Sequence, residues 1–220
     1  MMGMMSLFVV ILTTVGAVAQ EVVRSEGRGS MSSCVGLVWD NGDGTPNPVT
    51  GVVPFGVRTA DCCLVAYGAH LRIICAGHSV KGVSSTMVET MSGQKMQADV
   101  EKNLLDQGKD VAVLVPRGTP DLSVLTLAYE MPKAGEILVW NGTDTNDKPI
   151  CAKVELLDSG DQGKNCGYVR RVPAMEKGVS GSPLLNEAGQ LVGISQGTKT
   201  IDSVDVLVIS PLWMLMEALR

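Results

Sequence analysis

The chain has 220 residues, and its 18 Lys and Arg against 23 Asp and Glu give a formal net charge of -5. It therefore lacks the clustered positive charge that phosphate binding rewards, which excludes nucleic acid as the main partner. Hydrophobic residues make up 45% and charged residues only 19%, which excludes a disordered chain, and the 25 glycines and 10 prolines spread along it exclude helical bundles and coiled coils in favour of a turn-rich β protein.

Residues 1–19 carry no charged side chain, and Leu7, Phe8, Val9, Val10, Ile11 and Leu12 form one apolar run. The run is shorter than the ~20 residues of a membrane span, and it closes on Ala17-Val18-Ala19, the small-x-small pattern of a secretory cleavage site. Residues 1–19 are therefore expected to be a signal peptide and the protein secreted or extracytoplasmic. The alternative is a membrane segment left by processing of a longer polyprotein, in which case the chain touches a membrane only there. Residues 20–33 are polar and aperiodic, a linker, and residues 34–220 form the folded domain.

From Cys34 onward, short apolar runs alternate with turn signals. The predicted strands are 35–39, 51–55, 62–67, 71–76, 85–90, 95–100, 111–115, 136–140, 150–157, 167–172, 182–186, 191–196 and 204–209. Between them lie the turns Asn41-Gly42-Asp43-Gly44, Tyr67-Gly68-Ala69-His70, Asn141-Gly142 and Glu187-Ala188-Gly189. About a dozen strands at this spacing predict an all-β barrel or sandwich, or two barrels packed together. One helix is predicted at the end, with Ser210 as N-cap, Pro211 in the first helical position and Leu212–Leu219 following.

Six cysteines, Cys34, Cys62, Cys63, Cys75, Cys151 and Cys166, occur without a C-x-x-C pair. In a secreted chain an even count predicts disulfides of unknown connectivity, and otherwise small buried hydrophobes. Asn141-Gly142-Thr143 has the form of a glycosylation sequon.

Chemistry concentrates in Gly178-Val179-Ser180-Gly181-Ser182-Pro183. A serine hydroxyl is a weak nucleophile until a base takes its proton and donors stabilise the oxyanion. The glycines around Ser180 permit a sharp turn that exposes the hydroxyl and lets the Gly178 and Ser180 amides converge as an oxyanion hole. The plain alternative is a Gly/Ser turn without chemistry. Of the two histidines, His78 follows the apolar strand and His70 occupies the turn before it. Asp110 opens the run Val111–Val115, where a carboxylate is costly unless paired. Asp99 and Asp106 are its rivals, the first on a strand face and the second in a polar turn.

The order His78, Asp110, Ser180 resembles that of the chymotrypsin-fold serine proteases, and Ile73–Val80, Asp110–Val115 and Gly178–Ile194 resemble their three sequence blocks. The close spacing is similar to the compact trypsin-like enzymes of the HtrA type and of positive-strand RNA viruses. Departures are Val179 in place of the aspartate of trypsins, Cys75 in place of threonine or serine, and Gly77 in place of alanine. The resemblance implies two packed six-stranded antiparallel barrels with a C-terminal helix, and a serine endopeptidase acting on protein or peptide substrates without a cofactor. Ser180 is implied as nucleophile, His78 as base, Asp110 as its orienting acid, and Gly178 and Ser180 as the oxyanion hole. Ile194, Ser195, Gln196 and Gly197 are implied as the substrate-binding wall, with a pocket floor at Ala174–Lys177. Two alternatives remain: a catalytically inactive binding module on the same fold, and a Cys/His metal site using His78, Cys75 and Cys62 or Cys63.

Overall fold

The computed structural model describes residues 35–39, 58–144, 146, 148–160, 164–171 and 179–220. The signal and linker segments, the turn at 41–44, the predicted strand at 51–55, the pocket floor at 174–177, Cys34 and Gly178 lie outside the described residues.

The first barrel is built from β1 (Gly36–Trp39), β2 (Arg58–Tyr67), β3 (His70–Cys75), β4 (Ser85–Thr90), β5 (Lys95–Asn103) and β6 (Ala112–Pro116). These strands pair antiparallel in the order β1-β4-β5-β6-β3-β2, and β1–β2 pairing closes the ring. A short strand, β7 (Val124–Leu125), which sequence patterning did not reveal, adds in parallel to β2. The second barrel comprises β8 (Ile137–Thr143), β9 (Pro149–Asp158), β10 (Gly167–Arg170), β11 (Pro183–Leu185), β12 (Leu191–Ile201) and β13 (Val204–Pro211), closed in the order β10-β13-β12-β11-β8-β9. Helix α1 (Leu212–Leu219) ends the chain. Two six-stranded antiparallel barrels and a C-terminal helix are the expected architecture.

Three apolar clusters explain why the strand sequences read as they do. Cys62, Leu64, Ile73, Cys75, Ala112 and Leu114 fill the first barrel, and Leu138, Trp140, Leu156, Val169 and Leu207 fill the second. Residues of opposite parity, Cys63, Val65, Ile74, Val111 and Val113, face outward and pack on Leu185, Leu191 and Ile194 of the second barrel and on Met214 and Leu215 of α1. Strands β2, β3 and β6 are thus buried on both sides, which is why they read as continuous apolar runs instead of alternating ones. Lys109 fastens α1 to the loop before β6, pairing with Glu217 at 2.5 Å and lying 5.8 Å from the Trp213 ring centre.

Two local expectations are corrected. Asn141-Gly142 is not a turn but the interior of β8, where Asn141 and Thr143 are buried, so the sequon offers no accessible amide. Ser210 belongs to β13, Pro211 is the N-cap, and no side chain caps α1. The described cysteines, Cys62, Cys63, Cys75, Cys151 and Cys166, are all free thiols, so the expected disulfide framework finds no pair among them.

Candidate active site

Strand β3 ends at Cys75, and the chain turns at once into a 3₁₀ helix, Gly77–Val80, closed by the Ser79 N–H on the Ala76 carbonyl. Gly77 leaves room there that a side chain would crowd. A Cβ would lie 2.7 Å from Asn103 Oδ1 and 3.1 Å from the Val111 nitrogen, and Asn103 Nδ2 donates to the Gly77 carbonyl at 2.9 Å. The turn delivers His78 to the surface with its side chain 42% exposed.

Asp110 meets it from the loop before β6. One carboxylate oxygen accepts the His78 backbone N–H at 2.8 Å and the other bonds Nδ1 at 2.7 Å. Two bonds from one carboxylate fix both the ring's position and its tautomer, leaving Nε2 as the free base. The hydrogen bond to Asp110, and its charge, raise the His78 pKa above the usual 6.5 against the opposing effect of burial. The rivals have other tasks: Asp99 pairs with Arg117 on the surface at 2.7 Å, and Asp106 is exposed in the 3₁₀ turn Leu105–Gln107. His70 is the exposed first residue of β3.

Ser180 comes from the second barrel, just before β11. Its turn needs Gly181 at φ +86°, where a Cβ would run into the Asp61 carbonyl oxygen. The same Cβ would lie 3.3 Å from the Ala76 nitrogen, so the turn docks against the strand end that leads to His78. The Ser180 hydroxyl donates to the Gln196 carbonyl at 2.7 Å, toward the cleft wall rather than the imidazole. Its backbone N–H meets no acceptor among the described residues.

The wall residues divide. Ile194 and Ser195 are fully buried. Ser195 spends its N–H on the Ser182 carbonyl, its carbonyl on the Gly181 N–H and its hydroxyl on the Val179 carbonyl. Ile194 and Ser195 thus support the turn from beneath. Gln196 and Gly197 are the half-exposed members. Gln196 is the extra residue of a bulge between Ser195 and Gly197, and such irregularities re-aim backbone groups beside active sites.

Sequence reasoning missed two polar residues. Ser210 receives Gln196 Nε2 at 2.9 Å and donates to the Asp110 carbonyl at 2.7 Å, linking the wall to the acid. Asp61, wholly buried, accepts the Ser182 and Thr143 hydroxyls. Its signal was the same as that of Asp110, a lone acid against an apolar run.

The thiols near the site are inert. Burial, reinforced by the Asp110 charge, pushes the Cys75 pKa up to about 12, and burial raises Cys62 well above the usual thiol range. Both stay protonated at neutral pH and so lack the thiolate that binds metal or attacks substrate. Among the described residues no three His, Cys, Asp or Glu side chains converge as metal ligands.

A family model described as the trypsin-like peptidase domain matches residues 19–194. The chain belongs to the trypsin-like peptidase family. Among solved structures this peptidase-family chain is similar to the active form of the Rv3671c protease from M. tuberculosis, with TM-score 0.64 and 19% identity over 86% of this chain and 80% of that one. It is also similar to the MamO protease domain from Magnetospirillum magneticum, with TM-score 0.61 and 19% identity over 87% and 98%. A serine endoprotease from Yersinia pestis gives TM-score 0.62 and 17% identity over 86% and 63%. At these identities the likeness is one of fold. No curated protein matches the sequence.

Proposed function

We propose that this trypsin-like peptidase-family chain is an active serine endopeptidase with His78, Asp110 and Ser180 as its triad. The observation that carries the reading is the two-point grip of Asp110 on His78, beside a glycine-lined turn that presents Ser180. In the resting state the Ser180 hydroxyl sits on the Gln196 carbonyl. A substrate laid along the wall as an added strand offers its own N–H to that carbonyl, and a rotation between staggered rotamers then turns Ser180 Oγ toward Nε2.

The chemistry balances on this chain's own groups. Ser180 Oγ bonds to the peptide carbonyl carbon while His78 Nε2 takes its proton. Asp110 stabilises the imidazolium, and the Ser180 N–H with that of Gly178 receives the oxyanion. The proton passes to the leaving amine as the peptide bond breaks, and water, activated by the same imidazole, releases the acyl group. An extracytoplasmic place of action is proposed from the pattern of residues 1–19 alone.

The Ser180–Gln196 bond also favours a second reading, a binding module whose nucleophile is never engaged. A fluorophosphonate probe separates them, since it reacts with an activated serine. Labelling that Ser180→Ala abolishes is the expected result. Folded protein that takes up no label would sink the hydrolytic reading.

A further inference from the structure

Asp61 shares the outward-facing side of β2 with Cys63 and Val65, so it turns toward the second barrel. It is wholly buried, a costly position for a carboxyl group unless its oxygens are occupied. Oδ1 accepts the Thr143 hydroxyl at 2.9 Å and Oδ2 the Ser182 hydroxyl at 2.6 Å. The main chain of the same residue also serves the turn, with its N–H donating to the Ser180 carbonyl at 2.7 Å. Its own carbonyl lies where a side chain on Gly181 would have to go. One residue of the first barrel thus touches three successive residues of the nucleophile turn.

The other bonds that shape this turn lie within the second barrel: Ser195 bonds to Val179, Gly181 and Ser182, and the Ser180 hydroxyl donates to Gln196. The Ser182 N–H donates to the Val179 carbonyl, which also lies 2.6 Å from the Ser182 hydroxyl and shares that hydroxyl's one proton with Asp61. Among the described residues, Asp61 alone hydrogen-bonds it to the barrel that carries His78 and Asp110. We infer that Asp61 is a positioning residue whose side chain, through Ser182, sets the height and orientation of Ser180 relative to the imidazole. The inference rests on the proposed peptidase reading. Its physical content is that the distance between base and nucleophile is fixed across the barrel interface by a buried carboxyl group, not by apolar packing alone.

The test uses the full chain with Asp61→Asn, Asp61→Ala, Ser182→Ala and the Asp61→Asn/Ser182→Ala pair. Fluorophosphonate labelling is followed over a range of probe concentrations to separate the maximal rate from probe affinity, and amide exchange is followed in the peptide spanning 179–182. A displacement of the nucleophile by about 1 Å costs on the order of 10²-fold in rate. The expected result is a maximal rate lowered by about 10- to 10²-fold with unchanged affinity, largest for Asp61→Ala and partly rescued in Asp61→Asn. The double variant should be no slower than its worse single variant, because both break one linkage. Exchange should rise in 179–182 and stay unchanged in β10 and β13.

A merely stabilising role predicts a lower unfolding midpoint with wild-type maximal rate and wild-type exchange in the turn, and that outcome overturns the proposal. If Asp61→Ala does not fold, Ser182→Ala, which leaves the carboxyl group in place, decides by the same readouts. If the wild-type protein takes no label, the peptidase reading fails and exchange alone decides on Asp61. Faster exchange confined to the turn then supports it, and unchanged exchange rejects it.

Discussion

The two barrels bring their parts of the site to different degrees of completion. In the first, His78 and Asp110 are joined by two short hydrogen bonds inside a single barrel, so the imidazole is held in one orientation without any ligand. In the second, the Ser180 hydroxyl rests on the Gln196 carbonyl, and the Ser180 carbonyl accepts the Asp61 N–H across the interface. On the proposed peptidase reading, base orientation is thus a property of one barrel, whereas nucleophile placement is a property of how two barrels pack. Lesions on the first side should change the chemistry of a well-placed ring, and lesions on the second should change geometry.

The largest effect is expected on the first side. Asp110→Asn keeps the shape but removes the charge and the preference for the Nδ1–H tautomer, at an expected cost of about 10⁴-fold in kcat. It also moves the pH profile in a defined direction. If the proposed triad holds, activity needs neutral His78, and because Asp110 raises its pKa the acid limb of kcat/KM should shift down in the variant. Stability moves the opposite way. A raised histidine pKa contributes stability fully below the unfolded-state value, and the contribution is lost as pH climbs through the folded-state one. A pH–rate profile and pH-dependent unfolding on the same samples check both signs.

A smaller effect is expected where the halves touch at the other end. Ser210→Ala breaks the path from Gln196 Nε2 through the Ser210 hydroxyl to the Asp110 carbonyl. Stability should fall by about 1 kcal/mol, the net worth of such a bond. The labelling rate should fall only severalfold, because both bonds of Asp110 to His78 survive. An acid limb that shifts as far as in Asp110→Asn would show that the two halves are not independent.

Much of this was legible in the sequence, for reasons that also explain the errors. Ser85–Thr90 was bounded without error because its buried residues alternate, a signal contained within the strand. Leu71–Ala76 and Val111–Val115 were legible as apolar runs, although the reason, burial on both faces, belongs to the two-barrel packing. Asn141-Gly142 misled because the turn preference of that pair is local, whereas the glycine is needed for the close approach of the Trp140 ring and the Ser182 hydroxyl. Ser210 looked like a cap because Pro211 follows it, yet its hydroxyl is taken by Asp110. Which of residues 194–197 are buried was not legible, because parity does not carry across the bulge between Ser195 and Gly197. His78, Asp110 and Ser180 stood out because each departs from the apolar or turn pattern around it.

The smallest expected effect tests whether Asp110 was rightly chosen over its neighbours. Asp99 is also held by two bonds, to Arg117 at 2.9 and 2.7 Å, and Arg117 keeps its carboxyl below the usual range. Both partners are exposed, however, at 56% and 44%, so water and salt compete for the same charges and the pair is worth little to the fold. Asp99→Asn should leave the labelling rate and the acid limb where they were. What contribution the pair makes is present above the unfolded carboxyl pKa and fades as pH falls, the reverse of the His78 trend. The two pairs should therefore give opposite stability trends with pH, through His78 in one and Asp99 in the other, and only the first should touch activity. If Asp99→Asn shifts the acid limb and Asp110→Asn does not, the orienting acid has been misassigned, and with it the account of how the first barrel prepares the base.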